Sequence, residues 1–143
     1  MPFIATAFLL LFGVVGLWNA LYFSLVMHGV VKPDTRLVPA ICRPEDGTCM
    51  LVIKMPQARF FFGIPNADLG IAYYAIVLAW TVLSIIMGAP FHQLAIQAIA
   101  GFTVLVSLYL AWSLQFVLKT VCPFCYLGHT INLLIALVVW FAV

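Results

Sequence analysis

Four long apolar runs decide most of what this chain can become. They extend approximately from Phe3 to Met27, Leu69 to Met87, Phe91 to Leu118 and Phe124 to Val143. Crossing a bilayer core takes about 20 apolar residues in a helix. Only helices and closed barrels satisfy their own backbone groups in lipid, and continuous apolar runs read as helices. The expectation is an all-α membrane protein: one domain, residues 1–143, built as a four-transmembrane-helix bundle. Composition agrees, with 66% of residues hydrophobic and 7% charged, against roughly 25% charged in a soluble domain. The first run lacks a basic leader and is longer than a signal peptide's apolar stretch, so it reads as a retained helix. Lipid is the expected surrounding, and no nucleic-acid partner is expected.

The polar residues collect in one place. "GAP" at 88–90 makes a tight turn between the second and third runs, and "KTVCP" joins the third to the fourth. The long connection, Gly29 to Asp68, holds five of the eight prolines and nine of the ten charged residues. Such a segment must lie outside the hydrocarbon, and long loops in compact domains are commonly functional. Its tail, "MLVIKMPQARFFFGIP", is apolar and aromatic enough to cap the bundle along the membrane surface. In an antiparallel bundle the connections after the first and third helices emerge on the same face. Cys42 and Cys49, in "CRPEDGTC", therefore share a side with Cys122 and Cys125, in "TVCPFCYLGHTIN".

Three chemistries compete for these four cysteines. They can be small packing residues, a tetrahedral zinc site in a non-enzymatic membrane subunit, or a thiol–disulfide relay. Six residues separate the loop cysteines, wider than the usual zinc knuckle of about two to four. A cysteine in a first helical turn feels the positive end of the macrodipole, which favours the nucleophilic thiolate. Pro123 suits that first turn, and Lys119 nearby favours an anion. The Pro, Asp and Gly within "RPEDGT" suit a turn that closes a small, exchangeable loop disulfide. Two dithiol pairs on one face suggest a relay between an outside partner and a lipid-soluble redox compound.

At "CRPEDGTC", "FFGIPNADLGIAYY" (61–74) and "CPFCYLGHTIN" the chain resembles the vitamin K epoxide reductase family over nearly its whole length. That family has four core helices, a paired-cysteine loop after the first and a CxxC opening the last. The resemblance implies an enzyme that makes disulfides, passing electrons from a thioredoxin-like protein in trans to a ubiquinone- or menaquinone-type quinone. It implies that Cys125 reacts with the quinone, Cys122 exchanges with Cys49, and Cys42 trades with the protein partner. It places Asn66 at the quinone carbonyl and His129 on the pocket wall, with Tyr74 nearby. Two readings stay open beside these: Asn66 as a turn or cap residue, and His129 as a buried histidine bonded to a neighbouring helix. Spacing alone puts Cys125 and His129 on one helix face. Where the family commonly has Ser or Thr six residues after the second loop cysteine, this chain has Met55, which weighs against epoxide reduction. Vitamin K epoxide or quinone reduction from a dithiol donor is the alternative within the class.

All six basic residues, Lys32, Arg36, Arg43, Lys54, Arg59 and Lys119, fall on the cysteine side of this topology. By the positive-inside rule that side faces the cytoplasm. An extracytoplasmic site is the usual arrangement for disulfide formation.

Overall fold

The computed structural model describes residues 1–31, 52, 54–59, 61–90, 92–119 and 121–143. Among them are four helices long and apolar enough to cross a membrane. We label them α1 (Phe3–Met27), α2 (Asn66–Met87), α3 (Gln93–Trp112, prolonged by a π-helical turn Ser113–Val117) and α4 (Pro123–Phe141). A 3-10 turn, Pro56–Arg59, and an isolated bridge between Phe61 and Ile64 precede α2.

The helix ends follow local chemistry rather than hydropathy. α2 begins at Asn66, three residues before the apolar run, because "NAD" supplies a polar first turn behind Pro65. It stops at Gly88, whose φ of 70° is a left-handed cap that suits glycine. α3 starts at Gln93, later than the apolar count indicates, since His92 has φ 45° and breaks the helical path. α4 opens on Pro123 with Cys122 as its cap: the Cys122 sulfur accepts the Cys125 amide at 3.3 Å. Lys119 takes a left-handed φ of 48° in the turn that aims the chain into α4.

α1 is the central helix. It packs along α2 and along α4, and α3 packs on α4, while α2 and α3 scarcely meet. The bundle is thus an open curve in the order α2–α1–α4–α3, with a cleft between its two outer helices. The core seam runs through Leu9, Ala20, Tyr74, Val77, Ile131 and Ile135. A side chain at Gly16 would overlap the Tyr74 ring, so that glycine is what lets α1 and α2 approach.

The ends of the bundle are clear from side-chain contacts. Tyr22, Val26, Cys122 and Phe124 form a second buried cluster, which puts the end of α1 beside the start of α4. His28 Nε2 lies 3.1 Å from Asp68 Oδ2, and Ser24 donates to the other Asp68 oxygen, bringing in the start of α2. At the opposite end, Trp140 Nε1 donates to the Gln97 carbonyl at 3.2 Å. The CxxC therefore lies at the end from which the long connection leaves α1, as antiparallel alternation requires.

Candidate active site

Cys122 and Cys125 are joined as a disulfide, with Cα atoms 5.2 Å apart. Their surroundings overlap, since Cys125 also packs against the cluster that buries Cys122. Cys122 is fully buried, packed in the cluster of Tyr22, Val26 and Phe124, with Phe23 and Val52 against it. Cys125 instead lies on the wall of a cavity of about 550 Å³. Of the two cysteines, Cys125 alone lines the cavity.

That cavity occupies the concave side of the bundle and is framed by all four helices together with Gln57, Ala58, Phe61, Phe62 and Ile64. Phe23, Phe61, Phe62, Phe102 and Phe124 give it aromatic walls. It lies between α2 and α3, which barely touch. The π-helical turn helps build it: Leu118 N donates to Ser113 O at 2.9 Å, and this wider turn carries Ser113 and Leu114 to the cavity wall.

Asn66, Tyr74, Cys125 and His129, far apart in sequence, all line this one cavity. Asn66 is the first residue of α2, and its Nδ2 donates to the Gln57 carbonyl at 2.7 Å, clamping the capping segment onto the helix. The Tyr74 hydroxyl donates to Asn132 Oδ1 at 2.6 Å. Asn132 Nδ2 in turn donates to Ser107 Oγ at 2.8 Å, so this polar chain crosses α2, α4 and α3. The His129 ring has no hydrogen-bond partner among the described residues, in contrast to a histidine bonded to a neighbouring helix. Cys42 and Cys49 lie outside the described residues, and so does the loop half of any four-cysteine metal site.

Residue-by-residue reading of the motifs overlooks part of the cavity. Asn19, Gln57, Tyr73, Ser107, Ser113 and Asn132 also line it. Asn19 carried a signal, because a polar side chain inside a spanning helix is costly and faces the interior. Its Nδ2 donates to the Phe124 carbonyl at 3.1 Å, between the two cysteines. Five buried polar atoms lack a partner among the described residues: Asn19 Oδ1, Gln57 Oε1, Asn66 Oδ1, Tyr73 OH and Ser113 Oγ. All five belong to residues lining this cavity. Each such orphan costs about 1–3 kcal/mol, so the wall of this cavity carries an unmet polar demand.

The sequence pattern that defines the Vitamin K epoxide reductase family matches residues 7–140, nearly the whole chain. The chain belongs to that family. No curated protein and no solved structure matches it. Vitamin K epoxide reductase family membership makes this an oxidoreductase, one of a family that works with thiol partners and with quinones in general. With four spanning helices, it is a multi-pass membrane protein. An aromatic cavity with one sulfur of a CxxC in its wall suits the kind of chemistry this family performs.

Proposed function

We propose that this protein generates disulfides, carrying electrons from a thioredoxin-like partner through Cys42/Cys49 and then Cys122/Cys125 to a quinone in the bilayer. The observation that carries this reading is Cys125 on the wall of the aromatic cavity, with its disulfide partner Cys122 fully buried beside it. Val52 packs in the cluster that buries Cys122, and it is three residues from Cys49 in sequence, a stretch of at most about 11 Å of chain.

In this mechanism the partner dithiol reduces the loop disulfide, Cys49 attacks Cys122 to release Cys125, and Cys42 then attacks Cys49, closing the loop disulfide and freeing Cys122 as a thiol. Placed in the first turn of α4, Cys125 is stabilised as thiolate by the helix dipole. The reduced pair gives two electrons and two protons to the quinone and closes again as Cys122–Cys125. Asn66 retains a second N–H for a quinone carbonyl, and the unpartnered His129 ring offers another contact across the cavity. The Phe walls hold the ring system and exclude water.

The test is Cys125→Ala. It should abolish quinone reduction while the loop cysteines still form mixed disulfides with a thioredoxin-like protein. Full quinone turnover by that variant would reject the assignment. We further propose that the cysteine face is cytoplasmic, on the distribution of the six basic residues.

A further inference from the structure

One peptide group in the first turn of α4 is held at both of its polar ends. Its carbonyl, that of Phe124, accepts from Asn19 Nδ2 at 3.1 Å. Its N–H, that of Cys125, donates to the Cys122 sulfur at 3.3 Å. Two hydrogen bonds thus run in series from a side chain of α1, through one peptide, to the sulfur that the proposed loop exchange attacks. Asn19 has one admissible orientation, because turning its amide over would set two oxygens against each other. Gly128 makes room for it on α4, since a Cβ there would come within 3.1 Å of Asn19 Nδ2. Asn19 is 4% exposed in a spanning helix, where a polar side chain is costly.

A peptide group transmits polarisation. Its C–N bond is partly double, so drawing charge onto the carbonyl oxygen makes the N–H a stronger donor. In a low-dielectric interior, hydrogen bonds in such a chain strengthen one another by roughly 10–30% each. A bond to an ionised acceptor is about twice as strong as a neutral one, so the gain is largest when Cys122 carries charge. We propose that Asn19 is a positioning residue for the exchange step: acting through the Phe124–Cys125 peptide, it stabilises Cys122 as a leaving thiolate. This inference rests on the relay reading above.

That charge develops at a defined point of the relay. Once Cys49 has joined Cys122, the Cys42 thiolate attacks Cys49. The Cys49–Cys122 bond breaks, the Cys42–Cys49 bond forms, and the electron pair of the broken bond leaves on the Cys122 sulfur. The loop pair is oxidised and the α4 pair reduced, with no outside oxidant, and Cys122 takes up its proton afterwards. A thiol whose anion is stabilised leaves faster. Cys122 is fully buried, so water gives its anion little help and the Cys125 N–H matters more.

The experiment reads the ionisation of Cys122 in the full chain, held in lipid nanodiscs. Cys42, Cys49 and Cys125 are replaced by Ala, which leaves Cys122 as the single thiol and keeps the backbone N–H of residue 125. Ultraviolet thiolate absorbance is followed against pH, with the same chain carrying Cys122→Ser as blank. Of the ionisable groups around Cys122, Tyr22 of α1 packs in its cluster and Lys119 precedes it by three residues; every variant keeps both. Adding Asn19→Leu should lower the ionisation constant about threefold, raising the titration midpoint by about half a pH unit, as expected for losing about a quarter of a charged hydrogen bond. Adding Tyr74→Phe instead, which cuts another hydrogen bond to α4, should leave the midpoint in place. A midpoint unmoved by Asn19→Leu, or moved equally by Tyr74→Phe, would overturn the role of Asn19 while leaving the relay reading intact. Neither quinone nor partner protein enters the measurement, so the relay reading stands or falls separately on Cys125→Ala. Should Asn19→Leu not fold, the side-chain amide of Asn19 in the single-thiol chain decides. Its nuclear magnetic resonance signals should move as Cys122 ionises, while those of Asn132 stay. Asn19 signals that stay too, or that move together with those of Asn132, would overturn the inference.

Discussion

A single hydroxyl shows how much rests on individual polar atoms in this bundle. Tyr74 packs its ring into the space left by Gly16 and spends its hydroxyl on Asn132, which goes on to Ser107. Tyr74→Phe keeps the ring and removes that donor, leaving Asn132 Oδ1 without it. The expected cost is about 0.5–1.5 kcal/mol, toward the lower end because interhelical hydrogen bonds in membranes average about 0.6. A lowered thermal midpoint in detergent, with the helical circular dichroism retained, is the outcome that checks it. Sequence reading places Tyr74 near Asn66 in the motif but has no access to Asn132 as its partner. That pairing joins residues 58 positions apart and depends on how two helices rotate about their axes, which apolar runs do not encode. Asn19 is legible as an oddity in an apolar helix, whereas the direction of its amide exists only once Phe124 is packed beside it.

At the scale of the helix, the α1–α2 seam depends on small residues. Without a hydrophobic drive between helices in lipid, close packing must supply the attraction, and Gly16 permits it. Gly16→Val would place methyl groups where the Tyr74 ring lies. Overpacking of this kind costs typically about 1–3 kcal/mol, and here it would also shift the hydroxyl from Asn132. The variant should unfold at lower temperature than Tyr74→Phe and lose quinone turnover with it. Unchanged stability would mean that the seam is looser than its geometry indicates. Apolar length predicts that four helices exist and nearly where they lie, since a spanning segment has a minimum length set by the bilayer. It misjudges their starts because the first turns are polar at Asn66 and interrupted at His92. The π-helical turn at Ser113–Val117 has no counterpart in hydropathy at all, although it brings Ser113 to the cavity wall.

For the whole molecule, the expected topology brings the two halves of the proposed relay to one end, and the described residues agree for α1, α2 and the CxxC. The cations among them, Lys54, Arg59 and Lys119, lie at this end by their place in the chain, between α1 and α2 or just before α4. If that end faces the cytoplasm, a membrane-impermeant thiol reagent applied to intact cells should leave reduced Cys42 unlabelled until lysis. Labelling of Cys42 without lysis would exclude the cytoplasmic orientation. The shared end of α1, α2 and the CxxC was legible because it follows from counting helices. The cavity was not, since it arises from two helices that fail to touch. That gap between α2 and α3 has a consequence for kinetics. A site reached sideways through lipid samples its acceptor by diffusion in two dimensions. On the proposed function, its effective substrate concentration is then the number of quinones per lipid in the surrounding leaflet, whatever the amount per volume of cell.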